Sequence, residues 1–153
     1  MAYLLALVIG IIAGLRVMTA LAAMSWAAHL GYLNLGGSWF AFMGYRFTPW
    51  ILSVLALGEF VTDQLPATPS RKVPVQFGAR LVSGAFSGAM IGVDGGTFLG
   101  GLVAGIVGAV IGTIGGAAVR SWLATVFGRD LPAALIEDAI AIIGAISVVG
   151  MLR

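Results

Sequence analysis

Apolar residues run through this chain in long blocks instead of alternating with polar ones, and glycine, proline and charge mark where each block stops. Five blocks, at about 3–28, 49–65, 77–93, 97–119 and 133–152, approach the roughly 20 residues that a helix needs to cross a hydrocarbon layer. Pro49 and Pro132 stand in the first turns of two of them, where a missing N–H is harmless. Pro66, Pro69 and Pro74 fill the connection after the second block and predict a turn-rich loop, and Asp94-Gly95-Gly96 predicts a tight turn between the third and fourth. Two stretches break the pattern. Residues 30–48 hold Tyr32, Trp39, Phe40, Phe42, Tyr45 and Arg46 among several glycines, a composition that fits an interfacial or re-entrant segment. Residues 120–129, with Trp122 and Phe127 between arginines, also read as interfacial.

Composition turns these blocks into membrane spans. The 153 residues are 60% hydrophobic and 9% charged, with a mean hydropathy of +1.08, whereas soluble domains carry about 25% charge. The expected fold is an all-α polytopic bundle of about five spans, or six with a re-entrant segment, forming a single integral membrane domain over 1–153. The net charge of +2 comes from dispersed residues, so nucleic-acid binding has no support. Cysteine is absent, which excludes disulfides and thiolate metal sites. There is no Gly-x-Ser-x-Gly elbow, no phosphate loop and no histidine pair. The chain is therefore expected not to be an enzyme and to need no cofactor. His29, the single histidine, reads as an interfacial structural residue. The first block lacks a basic n-region, and Arg16 interrupts it before Ala20-Leu21-Ala22, so an uncleaved first span is expected. Five spans put Arg71, Lys72, Arg120 and Arg129 on the side of the N-terminus, and the positive-inside bias then makes the N-terminus cytoplasmic.

Charges inside the apolar blocks locate the candidate site, since an ionisable group at membrane depth costs several kcal/mol unless paired or wetted. Glu59 and Asp63 are four apart and share a helix face. Glu137 and Asp138 are adjacent and point about 100° apart, so only one is expected to face a given cavity squarely. Arg16 and Arg80 lie in two further blocks. These six residues form the candidate substrate- or ion-binding set, suited to a proton relay or, through the same oxygens, to cation binding. The plainer use of the same charges is to fix helix register. Gly101, Gly105, Gly108, Gly112 and Gly115 form one smooth helix face, matched by Gly84, Gly88 and Gly92; such stripes serve packing within a chain or between copies. A short echo, Gly14-Leu15-Arg16 with Thr19-Ala20 against Gly78-Ala79-Arg80 with Ser83-Gly84, suggests a weak internal repeat of the sort transporters use.

Glu59-Phe60-Val61-Thr62-Asp63-Gln64-Leu65-Pro66, then Pro69-Ser70-Arg71, Gly78-x-Arg80 and the late Glu137-Asp138 pair resemble a family of small bacterial integral membrane proteins classified only as a domain of unknown function. The resemblance covers nearly the whole chain and implies a helical membrane fold with these residues as motif positions. Gln64 departs from the family pattern, which more often has lysine there, leaving Arg71 or Arg80 to neutralise Asp63. The expectation is a homo-oligomeric, multi-pass protein of the bacterial inner membrane, acting as a proton- or cation-linked transporter or channel. A non-transporting membrane scaffold or lipid-associated structural protein is the alternative.

Overall fold

The computed structural model describes residues 1–64 and 73–153. Among them the chain forms α1 (Ala2–Leu15), α2 (Val17–His29), a 3₁₀ helix (Trp39–Gly44), α3 (Thr48–Thr62), α4 (Pro74–Asp94), α5 (Phe98–Phe127) and α6 (Asp130–Leu152), with no strand. Pro49 and Pro74 open α3 and α4, as their fixed φ favours. Gly128 closes α5 with φ +65°, a left-handed cap that a side chain would oppose. Pro74, expected in the loop with Pro66 and Pro69, thus belongs to α4, and the part of that loop over 65–72 lies outside the described residues.

The first predicted span is not one helix. At Arg16 the backbone turns extended, with φ −143° and ψ 110°, and the chain folds back on itself. The contacts fix the direction. Ala2 lies against Gly95, and Tyr3 against Gly100, at the turn between α4 and α5. Farther along α1, Gly14 reaches Ala109 and Thr113. After the break, Val17 meets Ser83, and by Asn34 the chain is back at Asp94, whose Oδ1 accepts the Asn34 N–H at 2.7 Å. Thus α1 and α2 form a helical hairpin with Arg16 at its apex. Each arm, of 14 and 13 residues, extends about 20 Å at 1.5 Å per residue, and because the second returns beside the first the pair makes no net passage along the bundle. The reversal of the chain falls in residues 2–29, whereas residues 30–48 carry a short 3₁₀ helix, Trp39–Gly44. The aromatic stretch packs at the open end of the hairpin, where Phe40 is buried against Phe86 with ring centroids 4.9 Å apart.

The extra reversal changes which ends meet. The N-terminus, the 30–47 connection and the α4–α5 turn lie together at one end of the bundle, here the near end. From there α3 descends antiparallel to α2, Trp26 bonding Ser53 at 3.0 Å and Glu59 reaching Val17. α6 ascends from the far end past Asp138 at the apex to Gly144 beside Ile12. Both chain termini therefore fall at the near end, whereas five alternating spans require opposite ends.

Glycine makes the core narrow. A Cβ on Gly105 would run into the backbone of Gly84 and one on Gly10 into Gly105, while one on Gly108 would strike Leu7. The α5 stripe is thus filled by α1 on one flank and α4 on the other. Gly115 alone of the five has open space beside it, so the stripe is spent inside the chain and leaves little for a second copy. α3 is the least embedded helix, burying only Pro49 and Ala56. Two helices, α5 and α6, are long and apolar enough to cross a membrane, each with a mean hydropathy of 2.1 and only 28% of its best window buried; a soluble core helix would be mostly covered.

Candidate functional site

Breaking a helix frees backbone groups, and buried ones need partners. At the apex the partners come from distant side chains. Glu59 on α3 accepts the amide N–H groups of Val17 and Met18, each at 2.8 Å, and so caps the N-terminus of α2. Arg80 on α4 donates to the carbonyls of Gly14 and Leu15, each at 2.7 Å, and caps the C-terminus of α1. Each cap has the sign the helix dipole favours, anion at the N-terminus and cation at the C-terminus. Ser83 donates to the Val17 carbonyl at 2.9 Å, and the Thr113 hydroxyl, bonded to the Ala109 carbonyl of its own helix at 2.7 Å, lies 3.3 Å from that of Gly14.

Arg16 itself is fully buried, 0% exposed. Its Nε donates to Asp138 Oδ1 at 2.7 Å, with Nη2 2.5 Å from the same oxygen, and its Nη1 pairs with Asp63. The Phe60 ring lies beneath the guanidinium, 5.7 Å from its carbon. Arg80 stands 4.0 Å from Asp63. Asp63 is thus neutralised chiefly by Arg16, from the apex of the hairpin, with Arg80 farther off; Arg71 lies outside the described residues.

A second group adjoins the first on the far side. Arg120, on α5, binds Asp130 through Nε at 3.0 Å and Nη2 at 2.5 Å. It stands 3.8 Å from Glu137 and reaches the Asp63 carbonyl at 3.4 Å. The adjacent carboxylates therefore divide: Asp138 serves Arg16, and Glu137 faces Arg120. All six predicted residues converge on this layer, with Glu59 held by backbone amides and not by an arginine. Arg120 was not foreseen as part of it. α5 runs unbroken through residues 120–127, so that stretch is not a separate interfacial segment. A signal for Arg120 existed in its register, since it follows Thr113 and the glycine face of α5 by two turns.

The echoed Gly-x-Arg segments occupy unlike settings, one at the hairpin apex and one inside the continuous α4. His29 is exposed and contacts the Gly44 carbonyl through Nδ1 at 3.1 Å. Among the described residues no three histidine, aspartate or glutamate side chains gather as a metal site; the carboxylates are turned to guanidiniums and amides, not to one another. Beside the apex, a groove of about 390 Å³ lies between α2, α3 and α6, lined chiefly by apolar groups. No family model, curated protein or solved structure matches the chain.

Proposed function

We propose that this protein is a small multi-pass transporter or channel of the bacterial inner membrane, whose hairpin apex is a proton-linked gate. The observation that carries the reading is the non-helical, fully buried Arg16 held by carboxylates from α3 and α6. Irregular backbone at membrane depth persists where it is enclosed by protein or lines a polar path, and transporters build sites from interrupted helices whose half-helix ends face charge. Here the ends are held by Glu59 and Arg80, side chains that can let go, and Glu59 and Asp63 ride on the least embedded helix. Carboxylates dispersed onto arginines suit proton exchange better than capture of a divalent ion, which gathers several oxygens about itself. The family resemblance agrees with this placement of the motif residues.

In this reading α3 to α6 cross the bilayer and α1–α2 enter it without crossing. The far end holds Arg120 and Arg129, and the sequence joining α3 to α4 holds Arg71 and Lys72. The near end has Arg46 and Arg153. The positive-inside bias makes the far end cytoplasmic, which moves the N-terminus to the outer side and reverses the orientation derived from five spans.

The alternative is a scaffold, favoured by the close pairing of the Arg16 and Arg120 guanidiniums. Liposomes containing purified protein, tested for flux of protons, monovalent and divalent cations and small anions, separate the two. Proton-linked flux that disappears in Glu59→Gln, with the variant still folded and inserted, is the expected result. No flux of any ion from folded protein would leave the scaffold standing.

A further inference from the structure

The amides of Val17 and Met18 and the Arg16 guanidinium form a set of donors suited to an anion, and this chain fills it with its own carboxylates, Glu59 and Asp63. Both lie at the end of α3. The groove between α2, α3 and α6 runs up to this set: Phe60 lines the groove and also lies under Arg16, so one ring separates an apolar cleft from the charged apex. Thr19, in the first turn of α2, lines the groove too. It is 7% exposed, and its hydroxyl has no hydrogen-bond partner, although a buried hydroxyl ordinarily finds one. The other walls include Trp26, Ser53, Ala56, Ile142 and Ala145. An apolar cleft within the roughly 300–1,000 Å³ of ligand pockets, with the Thr19 hydroxyl at the end beside the charged apex, has the form of a small-molecule site.

We propose that the site takes an anionic amphiphile, its hydrocarbon tail in the groove and its acid group on the α2 amides, Thr19 and Arg16 in place of Glu59. This rests on the transport reading and names its substrate class. Glu59 is then a built-in surrogate for the ligand's head. Exchange of one carboxylate for one acid group keeps the buried charge constant only if Glu59 leaves the amides carrying a proton, so each anion is matched by one proton. The other charges facing this exchange are Arg16 and Asp63 beside it, Arg80 from α4, Asp138 and Glu137 from α6, and Arg120 from α5. Pulling the Glu59 end of α3 outward also moves Phe60, which joins the groove to the apex.

The test uses the full chain in nanodiscs with Trp39, Trp50 and Trp122 replaced by Phe, leaving Trp26 in the groove as the reporter. A bromine-tailed decanesulfonate, ionised at all working pH values, should quench Trp26 saturably. Unbrominated decanesulfonate should relieve the quenching and decyltrimethylammonium should not. Glu59→Gln, which removes the competing charge, should lower the half-saturation concentration at least tenfold, and Ala56→Phe, which fills the groove from the least embedded helix, should abolish saturable quenching. In the chain retaining Glu59, binding should tighten on acidification, and in Glu59→Gln this dependence should shrink to what Asp63, still on Arg16, supplies. Quenching that is non-saturable, or equally relieved by the cationic amphiphile, overturns the proposal, as does an unchanged or weaker affinity in Glu59→Gln. Proton flux, measured in parallel with and without the amphiphile, tells a wrong substrate class, where flux is present but indifferent to the amphiphile, from a wrong transport reading, where flux is absent in both.

Discussion

Arg16 is the residue on which the apex depends, because a guanidinium with no exposure is tolerable only while its carboxylates stay in place. Removing one partner of such a pair strands the other, at a cost of about 3–5 kcal/mol in comparable buried pairs. Asp138→Asn should therefore lower the thermal stability of the detergent-solubilised protein strongly, and Arg16→Gln should do the same. The double variant should lose clearly less than the sum of the two, since neither charge is then left alone. Additive losses, read from thermal unfolding followed by circular dichroism, would show that the pair is not coupled. Arg16→Lys should not rescue, for a point charge cannot reach Asp63 and Asp138 together as the planar fork does. The identity of these residues was legible in the sequence because charge is so scarce there. Their partners were not. Nothing in the spacing says that Glu59 meets amide groups 41 and 42 positions away, or that adjacent Glu137 and Asp138 serve different arginines.

The elements show the same division between local and distant causes. α3, α4 and α6 start within three residues of the predicted blocks, with proline in each first turn as a local signal, and Asp94-Gly95-Gly96 divides α4 from α5 as expected, whereas α5 continues to Phe127, past its predicted end at 119. The α1–α2 break has no such signal. Residues 2–29 contain no proline and read as one apolar run, and the reversal is held by Arg80 and Glu59 from other helices, so tertiary contacts override the local preference for a continuous helix. Close helix approach explains how a hairpin fits into the bundle at all, and two glycines in one helix test this. Gly105 is gripped by the backbone of Gly84, and Gly115 faces open space. Gly105→Ala should cost about 1–3 kcal/mol as an overpacked contact. Gly115→Ala should be neutral or stabilise by about 0.5–1 kcal/mol, because alanine favours the helix. Equal effects of the two on unfolding temperature would contradict the packing described.

For the whole molecule, one reversed hairpin decides where both ends lie. A helix of 26 residues over 3–28 would carry the chain across and leave the termini on opposite sides; a hairpin whose arms each extend about 20 Å returns it to the side where it began. In the proposed topology, four crossings by α3 to α6 would then bring the C-terminus back to the N-terminal side, and the bias of arginine and lysine toward the opposite end would place both termini outside the cytoplasm. Because the chain has no cysteine, single cysteines at positions 2, 129 and 153 report sidedness with no background. In sealed right-side-out vesicles, an impermeant maleimide should label positions 2 and 153 and spare position 129 until the membrane is opened. Labelling of 2 and 153 from opposite faces would restore a full first crossing and remove the hairpin. Labelling of 129 alone from outside would keep the hairpin and invert the protein, bringing the Arg120–Glu137 end of the charged layer to the outer face. If the transport reading holds, sidedness also fixes the direction from which protons first meet the carboxylates, since Arg120, Asp130 and Glu137 lie between the Arg16 apex and the far surface.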